Sequence, residues 1–206
     1  MIRSKGPVWH KKQKDQGIMP KNLRGVDREA TWAYSKTDNW VYGHGTFCLT
    51  SHEIPVLGQF KWMPNSKNES KVMFCESRKL KGYIETVCMD SKADDVGMYK
   101  NLKKFWKVKL LTKPRKRFDK TEDRKFFVKE MNKKENKEIY KERSTTVEPM
   151  QGLIREIFDL ERAWMRGNKN NRWLFAAMGV AVQMAQMFAL TYDFSTWKIK
   201  QMVLGL

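Results

Sequence analysis

Two acidic residues stand where the pattern of the chain offers them to chemistry. Glu148 is followed four residues later by Gly152 and three residues after that by Arg155, so the three share one face if the segment is helical. A carboxylate supplies hard oxygen to a cation, a guanidinium takes a phosphate bidentately, and the glycine leaves room for another backbone to approach. Asp90 comes directly after GYIETVCM, residues 82–89, a short apolar run rich in β-branched residues that reads as a buried strand. An acid just beyond such a strand sits where open α/β sheets place their sites. Glu148 lies 148 − 90 = 58 positions further on. Each acid also has a plainer role. Asp90 can cap the next helix, and Thr145 with Glu148 forms an S/T-x-x-E helix start.

The surrounding elements would position these groups. Val147, Met150, Ile154, Ile157, Phe158, Leu160 and Trp164 recur at three- and four-residue spacing, which predicts a helix within residues 140–167 with one buried face. Residues 40–51 and 55–63 alternate as two neighbouring strands joined through a turn at 51–54, with Gly43 and Gly45 marking a bulge or close packing. A helix over 65–80, capped by Ser66 or Asn68, precedes the strand before Asp90. A helix over 96–105, started by Asp94 or Asp95, and a strand over 106–111 follow it, making a parallel crossover. Residues 172–192 are apolar enough to span a membrane, but Gln183, Gln186 and the small residues favour a core helix.

The chain carries 41 basic and 23 acidic residues, net +18. That balance implies a polyanionic partner, nucleic acid before others, without choosing a function. Residues 100–143 hold 18 basic and 7 acidic residues, so 11 of the 18 net charges fall in about a fifth of the chain. Within it, Lys113, Arg115, Lys116 and Arg117 follow a strand directly and are the anchored DNA-contact candidates. Residues 133–137 read as a solvated run. The amino-terminal residues 1–24, with Lys11 and Lys12, read as a solvated or phosphate-binding arm broken by Gly6-Pro7 and Pro20. Cys48, Cys75 and Cys88 are far apart and odd in number, which points to a reducing compartment and away from structural zinc. The first residues have no apolar core of a signal peptide, so a cytoplasmic protein is expected, and His10, His44 and His52 are assigned ordinary structural or surface roles.

Tyr140, Arg143, Glu148 and Arg155 together resemble the tyrosine-arginine-glutamate-lysine signature of bacterial insertion-sequence transposases with a DDE triad. Two departures stand out: four residues separate Arg143 from Glu148 where three are usual, and arginine replaces the final lysine, which is not a neutral exchange. KGPVWHKK (5–12) resembles a segment that follows the family's first catalytic aspartate. Tyr42-Gly43 resembles a motif of its second strand, and the strand end at Asp90 the setting of its second aspartate. The resemblance implies an α/β, ribonuclease H-like fold with a mixed central sheet and flanking helices. On that basis residues 1–39 are a basic arm, 40–192 the catalytic domain with a basic insertion at 113–141, and 193–206 a tail.

The same resemblance implies two divalent cations, Mg2+ or Mn2+, with Asp90 and Glu148 as catalytic metal ligands. Arg143 and Arg155 would position phosphates, and Tyr140 would stack on a displaced base or bind the backbone. It implies double-stranded DNA as partner, both element ends and target, allows a homodimer, and involves no membrane. The family's first aspartate would fall upstream of Met1. The expectation is therefore a fragment with the fold and DNA affinity but impaired strand transfer, with Asp27 and Asp38 as candidate substitutes. The alternative from another class is a non-enzymatic basic nucleic-acid-binding protein.

Overall fold

The structure, a computed structural model, describes residues 1–19, 24–35, 39–65, 69–116 and 121–205. It is mixed α/β, with one antiparallel and one parallel sheet. The chain forms two compact units, a larger one of Met1–Lys67 with Val147–Leu206 and a smaller one of Asn68–Thr146.

In the larger unit β3 (Asn39–Thr50) is the organising strand. β1 (Ile2–Arg3) pairs with its centre, β2 (Thr31–Ser35) with its first half and β4 (Leu57–Pro64) with its second half, all antiparallel. A Cβ on Gly43 would come within 2.0 Å of the Ile2 carbonyl oxygen, so close packing is what that glycine permits. The bulge lies elsewhere, between Leu49 and Thr50. The amino-terminal arm is not loose. It folds through α1 (Lys11–Asp15), and Trp9, Val26, Ala30 and Tyr42 make a small buried cluster. The Trp9 indole donates to the Ile18 carbonyl at 2.9 Å, and the Trp32 indole to the Trp9 carbonyl at 2.8 Å.

α6 (Asn168–Thr191) covers the sheet against β4. It is long and apolar enough to cross a membrane, yet its two glutamines bind the sheet. Gln186, 1% exposed, accepts from the Leu57 amide at 2.8 Å, and Gln183 donates to the Gly58 carbonyl at 2.9 Å. Burying an amide side chain requires such partners. Met150, Ile154, Ile157 and Leu160 join the same core, as their spacing predicts, whereas Trp164 is exposed. The carboxy-terminal segment also joins it: Ile199 is fully buried ahead of α7 (Lys200–Leu204).

The smaller unit begins with α2 (Glu69–Lys79); its expected caps, Ser66 and Asn68, lie outside the described residues. β5 (Thr86–Cys88), α3 (Val96–Asn101) and β6 (Lys109–Leu111) form the predicted parallel crossover, with strands shorter than expected. α4 (Glu122–Met131) follows, capped by the Thr121 hydroxyl. α5 (Lys134–Ile157) starts about ten residues earlier than the S/T-x-x-E pattern suggests and takes in most of the run expected to be solvated. The division between units falls within it. Since Thr145 is mid-helix, no orphan amide awaits it, and its hydroxyl returns to the Glu142 carbonyl at 2.8 Å. α5 ends at Ile157, and Asp159 takes a left-handed turn with φ 47°, so the expected helix does not reach Gly167.

Candidate nucleic-acid interface

In the smaller unit, β5 and β6 run parallel, and the chain emerges from both at the same end. Asp90 stands two residues past β5, half-buried. One of its carboxylate oxygens accepts the Lys92 amide at 2.8 Å, capping a single helical turn, Ser91–Ala93. Its carbonyl accepts the Thr112 hydroxyl at 2.6 Å, which ties it to the residue just past β6. The capping role and the strand-end placement expected of Asp90 are both present. The two readings do not exclude each other, because capping uses one oxygen.

Past Thr112 the chain enters a loop that walls a groove of about 990 Å3. Lys113, Arg115 and Lys116 come from the loop, Lys125 and Lys129 from α4, and Lys137 and Lys141 from α5. Among the described lining residues none is acidic. Helical spacing places the last four cations: Lys125 with Lys129 and Lys137 with Lys141 are four apart and share a helix face.

Two parts of the signature reach the same strand ends. Tyr140 lines the groove, with the Lys113 amide directed at its hydroxyl. Burial raises its pKa, Arg143 opposes that shift and the Asp90 carboxylate adds to it. Burial also pushes the Cys88 thiol up to about 11, against the pull of Arg143. A thiol so held is not a nucleophile near neutral pH. Arg143 therefore acts on both residues beside the end of β5.

The other signature residues belong to the larger unit. Glu148 is exposed on α5. Arg155 donates to the Met1 carbonyl at 3.2 Å. Among the described residues, a Cβ on Gly152 would meet nothing within 4 Å, so no described backbone approaches this glycine, contrary to the expectation from spacing. Lys11 and Lys12 are exposed on α1, with the Lys11 amine 4.1 Å from the centroid of the Trp40 ring. Arg117 lies outside the described residues. Among the described residues no three His, Cys, Asp or Glu side chains gather as metal ligands.

Asp27 does not have the setting expected of a catalytic aspartate. It is 1% exposed, and Oδ2 takes the His44 Nε2 at 2.9 Å and the Gly167 amide at 3.1 Å, while Oδ1 takes the Glu29 amide at 3.1 Å. The Trp62 indole donates to His44 Nδ1 at 3.0 Å, which fixes the proton on Nε2, facing Asp27. Burial works to raise the Asp27 pKa, but the bonds from His44, Gly167 and Glu29 together outweigh it and hold it below the ordinary value. Its function is structural. With Glu29, which accepts the Asn168 amide at 2.6 Å, it occupies the amino-terminal end of α6. Asp38 lies outside the described residues.

Sequence reasoning missed a buried ion pair between Asp94 and Arg124, whose side chains are 0% and 5% exposed. Asp95, not Asp94, caps α3, accepting the Met98 amide at 2.9 Å. The available signal was Arg124 in register with Phe127 and Met131, three and seven residues on. An arginine on a buried stripe requires a carboxylate partner.

Comparison of the chain with known protein families, with curated proteins and with solved structures found no match.

Proposed function

We propose that this chain is a DNA-processing protein of the DDE transposase type that grips duplex DNA by its phosphates in the groove of the smaller unit. The observation that carries the reading is the convergence of Asp90, Lys113, Tyr140 and Arg143 at one end of the β5–β6 pair. These positions lie up to 53 residues apart (143 − 90); the resemblance assigns Asp90, Tyr140 and Arg143 to catalysis or DNA contact, and the charge cluster makes Lys113 a DNA-contact candidate.

The groove's chemistry favours a polymer over a single nucleotide. Sites for one nucleotide cradle its phosphates with successive backbone amides. In this loop the Lys113 amide faces Tyr140, the Arg115 amide is held by Asp94, and Pro114 has none. The remaining cations are separate side chains on three elements, a spacing suited to repeated phosphates and blind to sequence.

The donor chemistry at Asp90 fits a hard cation. One oxygen serves the Lys92 amide, and the other has no hydrogen bond among the described residues. The resemblance gives Asp90 and Glu148 to Mg2+ or Mn2+, two ions in a complete site, and such ions when bound supply Lewis acidity at a phosphoryl oxygen. Asp90 itself holds the strand-end turn, Arg143 and the lysines carry phosphate charge, and Tyr140 presents an aromatic face at the groove wall. A ribonuclease H-like arrangement, a cytoplasmic nucleoid location and a homodimer belong to the same proposal. The antiparallel strands and the parallel crossover are the kinds of pairing such a fold combines in one sheet, although among the described residues they form two separate sheets.

The second reading, a non-enzymatic DNA-binding protein, is favoured by the lack of three converging ligands among the described residues. Nicking of linear DNA in Mg2+ or Mn2+ is measured for the chain and for Asp90→Ala and Glu148→Ala. Nicking that both variants lose supports the transposase reading. Salt-sensitive binding without nicking in any of the three fits both an impaired transposase fragment and the binding protein, and adding an upstream strand that ends in aspartate separates those two: nicking gained with it supports the transposase, and none supports the binding protein.

A further inference from the structure

We propose that the buried Asp94–Arg124 ion pair is a positioning device, which sets the loop 113–116 in its phosphate-gripping shape before nucleic acid arrives. This rests on the reading of the groove as a nucleic-acid site, and it adds why that site has a fixed form.

The loop has no strand or helix to shape it. Its centre, Arg115, is held on both main-chain groups by side chains of other elements. The Arg115 amide donates to Asp94 Oδ2 at 2.7 Å, and Arg124 Nη2 donates to the Arg115 carbonyl at 2.8 Å. The pair itself is bidentate: Nη2 lies 2.9 Å from Oδ2, and Nη1 bonds Oδ1. The Arg124 guanidinium also stands 5.3 Å from the centroid of the Phe127 ring, which limits its rotation. One carboxylate and one guanidinium thus fix the two peptide units that flank Arg115, at the centre of the loop cations.

Stability does not account for such a pair. Removing two charges from water costs about what their attraction returns, and apolar side chains of similar volume often serve as well. What apolar side chains cannot do is bind the Arg115 amide and carbonyl. A loop ordered in advance also loses less entropy when its cations meet a ligand. Arg124 is therefore not a phosphate contact, although it borders the groove: its charge is spent on Asp94.

Two variants of the full chain test this without changing its charge. Asp94→Leu with Arg124→Met removes one acid and one base, so the net charge stays +18 (40 − 22), and Arg124→Lys keeps the cation but loses the fork. The probe is a fluorescent DNA duplex, read by anisotropy over a salt series, with thermal midpoints measured alongside. The expected result is about a tenfold loss of affinity and a salt slope shallower by roughly one phosphate or more, at a midpoint near that of the unaltered chain. Faster amide exchange in residues 113–116 accompanies it. Unchanged affinity and slope in the folded double variant overturn the proposal, and if that variant does not fold, Arg124→Lys decides on the same readout. A control, Arg115→Ala with Lys116→Ala, separates the two levels. Loss of affinity in the control alone refutes positioning, whereas no loss in the control refutes the groove reading and the positioning proposal with it.

Discussion

Asp27 and Asp90 are both acids beside a sheet, with basic residues nearby, and their surroundings give them opposite uses. Asp27 accepts three donors, is sealed from solvent and fastens β3 to the start of α6. Asp90 spends one oxygen on a local turn and stays half-open beside a cationic groove. A carboxylate can act on a ligand only with lone pairs left over and a path to solvent. By that measure the larger unit holds a finished structural network and the smaller unit the proposed site.

The contrast breaks most readily at Asp27. Asp27→Ala leaves the His44 Nε2–H and the Gly167 amide unpaired inside the protein, at a cost of about 3–5 kcal/mol by analogy with a broken buried pair, measured by chemical denaturation. Asp90→Ala removes an N-cap and costs about 1 kcal/mol. Equal losses at the two positions would erase the distinction.

pH sharpens it further. The Asp27 pKa is held below 3.8, so its contribution is present above that value and is lost as pH falls through the lower one in the folded chain; Asp27→Asn should flatten the acid limb of stability. On the alkaline side the Tyr42 hydroxyl, which donates to the Asp27 carbonyl at 2.5 Å, has its pKa raised to about 12 by burial and by the Asp27 charge. Stability present below pH 10 is therefore lost as pH rises from 10 towards about 12. Tyr42→Phe should cost about 1 kcal/mol near neutrality and remove that alkaline loss. Thermal midpoints across both limits check the two signs. Both limbs belong to the Asp27 network, so the Asp90→Ala variant should keep them.

Much of this architecture was readable in the sequence. Alternation placed β3 and β4, and an apolar run ending in an acid placed Asp90 at a strand end. Period-3.6 burial placed Met150, Ile154 and Ile157. The misreadings share a cause: local signals were outweighed by partners distant in sequence. Thr145 and Glu148 look like a cap only if nothing helical precedes them, and the charged run from Lys134 was helical because α5 buries residues elsewhere along its length. Gly152 implied a close approach that no described backbone makes. The Asp27 network joins residues 27, 44, 62 and 167, and no periodicity links such positions. The Asp94–Arg124 pair spans 30 residues and left only one trace, an arginine on an apolar stripe.

The central claim is that the groove of the smaller unit is the nucleic-acid face. Its most direct test is the salt dependence of duplex binding by the chain and by a triple variant, Lys113→Ala, Arg115→Ala and Lys116→Ala, with Lys11→Ala and Lys12→Ala as the comparison from the larger unit. The account predicts that the triple variant's salt slope falls by roughly two to three, about 0.9 for each phosphate no longer neutralised, and that the α1 pair changes it less. An unchanged slope in the triple variant, or a larger fall from the α1 pair, would contradict it.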